Sequence, residues 1–109
     1  MEKKTFLDYD EGNDSFFLYK NKKVKGSIKA GNLIIDIDYN GNIVGLEFLD
    51  ASEFFKTLKI TKEMLKNAIK GSFMSETKGG WLIVRYLIMF PKNIEERHAI
   101  MIPAVSGVK

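Results

Sequence analysis

The chain has no cysteine and one histidine, His98, among its 109 residues. Without cysteine there is no disulfide framework, no zinc–thiolate site and no thiol nucleophile. With no cysteine and no second histidine, neither a thiol–imidazole nucleophile–base pair nor a histidine-rich metal site can be assembled within one chain. His98 reads instead as a strand residue near the surface. Only two prolines are present, Pro91 and Pro103. Pro91 ends a strand, and Pro103 marks the last strand as an edge or as finishing early. Long apolar runs are missing too. The longest, Trp81 to Phe90, is interrupted by Arg85 and is about half the length that a membrane helix needs. Met1-Glu2-Lys3-Lys4-Thr5 holds no apolar run of the kind a signal peptide carries. A soluble, cytoplasmic protein is expected.

What is present is ordinary in amount and uneven in placement. Apolar residues make up 45% and charged residues 28%, as in a globular protein, and the length predicts a single domain over residues 1–109. Net charge is +3. Residues 1–55 carry seven Lys against ten acids, a balance of −3, and residues 56–109 carry ten Lys or Arg against four Glu, a balance of +6. Such halves attract each other within one molecule or between copies, and the basic half also suits a phosphate backbone.

Periodicity predicts an α+β fold with a mostly antiparallel sheet: a β-meander, two helices near 52–71, then a C-terminal three-strand meander. Strands are expected at Phe6–Tyr9, Phe16–Tyr19, Val24–Ile28, Leu33–Asp38 and Ile43–Leu49, separated by turns rich in Asp, Asn and Gly. Ser52 reads as the N-cap of a short helix carrying Phe54, Phe55 and Leu58 inward. Thr61 caps a second helix that runs to a stop at Gly71. Strands at Ser72–Thr77, Trp81–Phe90 and 98–105 follow, with Lys78-Gly79-Gly80 as a hairpin turn.

Residues 36–47, Asp-Ile-Asp-Tyr-Asn-Gly-Asn-Ile-Val-Gly-Leu-Glu, satisfy the calcium-loop formula, with oxygens at Asp36, Asp38, Asn40 and Glu47 and Gly41 at the bend. A calcium loop of that type needs an entering and a leaving helix. Here Gly31-Asn32 and the β-branched Ile34, Ile35, Ile37, Ile43 and Val44 favour strands, and Val44 offers no side-chain oxygen. A hairpin accounts for the same residues. Either Asp38 opens a type I turn with Gly41 left-handed in a bulge, or Asn40-Gly41 forms a two-residue turn. The sequence leaves that register open. Gly45 marks a place where a packed neighbour comes close.

The pattern Asp36-x-Asp38-x-x-Gly41-x-Ile43-Val44-Gly45-x-Glu47-x-x-x-Ala51-Ser52, preceded by Tyr9-Asp10 and Asp14-Ser15-Phe16-Phe17-Leu18-Tyr19, resembles a family of short prokaryotic proteins catalogued as domain of unknown function 2283. The resemblance covers about residues 6–55. Phe48 and Asp50 stand where Ile and Asn are more usual in it. It implies a small β-rich module with no established activity and no agreed catalytic residues. For some members it implies pairing with small toxin-like proteins, and so an antitoxin-like partner role. From about residue 56 the resemblance stops.

Three function classes follow. The leading expectation is a non-enzymatic protein-interaction module working as a homodimer. It rests on the Trp81–Phe90 strand, apolar on both faces, which a chain of this size has little material to cover. Arg85 on that strand, where buried, calls for a partner such as Glu76 or an acid of the front half. The first alternative is nucleic-acid binding through Lys56, Lys59, Lys62, Lys66 and Lys70, of which the last three recur every four residues as a ridge on the second helix. That ridge is equally what an amphipathic helix shows to water. The second alternative is calcium or other metal binding at the 36–47 loop, with Asp36, Asp38 and Glu47 as a carboxylate cluster on one sheet face. No catalytic, cofactor-binding or metal-binding residue is assigned from sequence, and no membrane partner is expected.

Overall fold

The computed structural model describes residues 4–109, so the reading of the N-terminus at Met1–Lys3 lies outside them. The fold is α+β, with two antiparallel sheets and two short helices between them in sequence. The first sheet holds β1 (Thr5–Asp10), β2 (Ser15–Lys20), β3 (Val24–Ala30), β4 (Leu33–Asp38) and β5 (Ile43–Phe48), in the spatial order β1-β2-β5-β4-β3. The first half is thus not a meander in sequence order: β2 pairs with β5, and β3 is placed at the far edge. Side-chain character explains the exchange. β2 buries Phe16 and Leu18 completely and β5 is buried along nearly its whole length, so both belong inside the sheet. β3 carries Lys25, Gly26 and Lys29 and is mostly exposed, which suits an edge.

The helices are shorter than the sequence predicts. α1 spans Ala51–Lys56 and α2 spans Lys62–Lys66. Thr61 does cap α2, its hydroxyl accepting from Met64 N at 3.1 Å. The cap of α1 is not Ser52. The N-cap position is Asp50, left-handed at φ 48° and without a side-chain bond of its own, while Ser52 is the second residue of the first turn. Gly71 is not a helix stop either, since α2 ends at Asn67 and Gly71 is already in the next strand. A Cβ on Gly71 would stand 2.6 Å from Leu18 Cδ2 and 3.0 Å from Leu87 O, so the glycine lets the two sheets meet. Tertiary contact, not helix termination, is what that position serves.

The second sheet is a meander of β6 (Lys70–Lys78), β7 (Trp81–Phe90) and β8 (Ile94–Pro103). β8 begins and ends earlier than the 98–105 expected. Lys92 and Asn93, both with positive φ, make a tight β7–β8 turn that brings Ile94 into register with Phe90. One apolar cluster joins the two sheets and α1 and α2. Phe48 and Phe55 meet Tyr86 of β7, with Phe48 and Tyr86 ring centroids 5.2 Å apart, and Phe16 packs on both phenylalanines. Leu82, Val84 and Ile88 are fully buried beside them. Among the described residues, no helix is long and apolar enough to cross a membrane.

Candidate functional site

The 36–47 segment is a hairpin whose register the structure fixes. Asp38 N donates to Asn42 O at 2.9 Å and Gly41 N to Asp38 O at 3.2 Å, enclosing a three-residue loop Tyr39-Asn40-Gly41. Gly41 has φ 82°, the left-handed position of a type I turn with a bulge, and a second irregularity leaves Val44 extra between Ile43 and Gly45. The Asp38 carboxylate accepts from Asn40 N and Asn42 N, each at 2.9 Å, and Lys22 Nζ lies 3.9 Å away. Burial alone would push that carboxyl up, but the Asn42 and Asn40 donors and the Lys22 charge outweigh it and hold the group below its ordinary range. Asp38 is therefore a buried turn brace.

Asp36 and Glu47 are engaged separately. Asp36 accepts from Ser27 Oγ at 2.6 Å and Glu47 from Ser15 Oγ at 2.7 Å. The three acids that share a calcium formula in sequence thus have three different partners. Among the described residues, no group of three or more His, Cys, Asp or Glu side chains is placed to hold a metal ion. Gly45 stands between them, as expected of a close approach: a Cβ there would lie 2.7 Å from Asp36 Oδ2 and 3.2 Å from Phe17 Cε1.

The lysine ridge is dispersed. Lys62 and Lys66 are on α2, but Lys70 opens β6, because the helix has ended three residues before it. Lys66 is drawn to Glu11 at 3.6 Å and Glu63 at 3.5 Å. His98 lies on the half-buried side of β8, its Nε2 2.9 Å from Glu96 Oε1 and its ring 5.8 Å from that of Tyr86. Burial first, and the Glu96 charge second, raise the Tyr86 phenol far above its ordinary range.

The second sheet has one covered face and one open one. Alternation along β7 puts Leu82, Val84, Tyr86, Ile88 and Phe90 into the core. Trp81, Ile83, Arg85, Leu87 and Met89 point the other way, so only one face of this strand is buried within the chain. Registered beside them are Met74 on β6 and Met101 on β8. Trp81, Met74 and Met101 are 44%, 62% and 55% exposed, an apolar surface without a cover. Arg85 finds Glu76 at 2.7 Å as its partner, and Arg97 finds Glu95 at 3.2 Å. Ser72, Leu87 and Ala99 floor a shallow hollow of about 560 Å³ between the two arginines.

Two features escaped the sequence reading. Asp14, read only as a turn residue, reaches 38 positions along the chain to α1, and Ser52 Oγ donates to it at 2.6 Å. Phe6, Phe17 and Tyr19 form a stacked ladder on the outer face of the first sheet, with centroids 5.4 Å apart for Phe6–Tyr19 and 4.6 Å for Phe17–Tyr19. The period-two spacing of Phe17 and Tyr19 was a usable signal. The Phe6 neighbour required the β1–β2 register.

Comparison with known proteins bears out the resemblance read from the residues. Residues 7–52 match the model of a family described as protein of unknown function (DUF2283). An uncharacterized protein of Methanocaldococcus jannaschii is 41% identical over 68 residues, 62% of this chain and 57% of its own length. A Methanosarcina mazei protein provisionally named hypoxanthine phosphoribosyltransferase is 44% identical over 64 residues, 58% of this chain and 50% of its own length. The chain spans about half the length of the curated relatives it matches. No solved structure matches it.

Proposed function

We propose that this chain, whose first half matches a family of unknown function, is a non-enzymatic protein-interaction module that associates with a second copy of itself through the open face of its second sheet. The observation that carries the reading is the exposed apolar surface of Trp81, Met74 and Met101 around Ile83, Leu87 and Met89. Surfaces of that kind, rimmed by charge, are covered by partners more often than by water alone.

Self-pairing is supported by the register. A two-fold axis along β7 lays β6 of one copy over β8 of the other. Lys70, which aligns with Met89 and so with Glu95, then stands over the partner's Glu95, and the reverse holds on the opposite side. Arg85 and Arg97 meet that interface already neutralised by Glu76 and Glu95. A role without chemistry is supported by the engagement of Asp36, Asp38 and Glu47 in turn and serine contacts and of His98 with Glu96.

Light scattering on a size-exclusion column tests this. The wild-type chain is expected to approach twice the monomer mass as concentration rises. Met74→Lys with Met101→Lys, both at exposed positions, is expected to stay monomeric while keeping its circular dichroism. A wild-type chain that remains monomeric at the highest soluble concentration overturns the reading.

A further inference from the structure

The outer face of the first sheet is built differently from that of the second. Registered side by side on it are Asp8 of β1, Phe17 of β2 and Glu47 of β5, a ring between two carboxylates. The next row is Phe6, Tyr19 and Gly45. Gly45 matters to this surface because it leaves room for Phe17 and Asp36 above the strand backbone. The rings stack face to face in the order Phe6, Tyr19, Phe17, which leaves one face of Phe6 and one face of Phe17 open at the two ends. Beside Phe17 is a depression of about 330 Å³ lined by Asp8, Asp10, Ser15, Glu47 and Leu49 among others, with no basic residue in its lining.

An open ring face beside carboxylates is the chemistry that recognises an ammonium or guanidinium group: the ring face is the negative end of its quadrupole, and the acids add charge and hydrogen-bond acceptors. The chain itself uses the Phe6 end of the stack in this way, since Lys4 Nζ lies over the Phe6 ring at 5.3 Å from its centroid. We propose that this face docks a lysine- or arginine-bearing segment of a partner protein, with one cationic side chain over Phe17 between Asp8 and Glu47. A nucleic acid is disfavoured here, because its phosphates would meet Asp8, Asp10, Asp36 and Glu47. The inference gives a partner class to the interaction module proposed above. It uses the other sheet, so the light-scattering measurement fails or succeeds independently of it.

The test is a titration of the isotope-labelled full chain with a flexible arginine–glycine peptide, followed by amide chemical shifts. A control peptide replaces each arginine by citrulline, which keeps shape and removes charge. Saturable shifts confined to the neighbourhood of Asp8, Phe17, Tyr19 and Glu47 are expected, with the citrulline peptide weaker by about tenfold. Asp8→Asn, at an exposed position, is expected to weaken the arginine peptide about fivefold without altering the fold, and Phe17→Leu by a similar factor. Equal binding of the citrulline peptide overturns the proposal. So do shifts scattered over all surface acids that vanish at about 150 mM salt, a single-stranded oligonucleotide that shifts the same residues, or no binding at all.

Discussion

The Asp14 carboxylate accepts from Tyr9 Oη at 2.7 Å, from Ser52 N at 3.1 Å and from Ser52 Oγ at 2.6 Å, while its carbonyl accepts from Ala51 N at 2.8 Å. It thereby supplies from the β1–β2 turn the cap that α1 lacks locally, and it does so in the left-handed conformation, φ 53°, that Asp and Asn tolerate best. Burial would raise its pKa, but the Ser52 and Tyr9 donors and the Lys62 charge outweigh that and hold it below the ordinary 3.8. A depressed carboxyl contributes stability above the unfolded value, and that contribution is lost as pH falls through the folded one. Denaturant melts are therefore expected to weaken as pH drops below 3.8, with Asp14→Asn flattening that limb. Asp14→Ala removes the acceptor and the turn preference together, and is expected to cost about 2–3 kcal/mol at neutral pH. The alkaline side has the opposite sign. Burial, then the Asp14 hydrogen bond, raises the Tyr9 phenol above its ordinary 10.0, so its contribution is intact below that pH and fades above it. Asp14 as a turn former was readable in the sequence. Its reach to Ser52 was not, because a contact between positions 38 apart depends on β2 lying beside β5.

At the scale of the element, the β4–β5 hairpin shows how much a single register decides. Asp38, Asn40 and Gly41 have the turn roles their chemistry predicts, yet two turn lengths fitted the sequence equally. The three-residue loop forms, and the C-terminal segment packs on it. Lys109 N donates to Gly41 O at 2.8 Å, Ser75 Oγ donates to Lys109 O at 3.0 Å, and a Cβ on Gly41 would collide with Gly107 O. Gly41→Ala thus meets both a positive φ and a backbone neighbour, and is expected to lower stability by about 2–3 kcal/mol in a chemical melt. Gly31→Ala is the comparison. It has φ 61° and no neighbour within 4 Å, so it carries only the conformational share of that loss. The short helices illustrate the converse. Helical periodicity predicted α2 to run to Gly71, but Lys70 is taken up by pairing with Met89, and Ile69 N already donates to Met89 O at 2.8 Å. Strand pairing won over helix propensity because a helix this short gains little from its own hydrogen bonds.

On the scale of the whole molecule, the two sheets share an aromatic core. Phe55 from α1 packs edge-on to Phe16 at 5.8 Å and against Phe48 at 5.0 Å, and it reaches Tyr86 of the second sheet at 6.3 Å. Phe55→Ala is expected to cost about 3–5 kcal/mol. Because that cluster spans both sheets, it is expected to lower the midpoints of intrinsic fluorescence, which reports on Trp81, and of far-ultraviolet circular dichroism together. Separate midpoints would mean that the sheets unfold independently. The outer face of the first sheet carries Asp8, Asp10, Asp36 and Glu47, and that of the second carries Lys70, Arg85 and Arg97 together with Glu76 and Glu95.

Strand periodicity, turn chemistry and the spacing of apolar residues are local, so the sequence by itself determined the antiparallel α+β class, most strand positions and the family resemblance of the first half. Strand order, the capping of α1 by Asp14, the hairpin register at Gly41 and the open face of β7 were decided only by the tertiary structure. Each depends on which distant backbone lies alongside, and the burial of Phe16, Leu18, Leu46 and Phe48 against the second sheet settles that jointly rather than residue by residue.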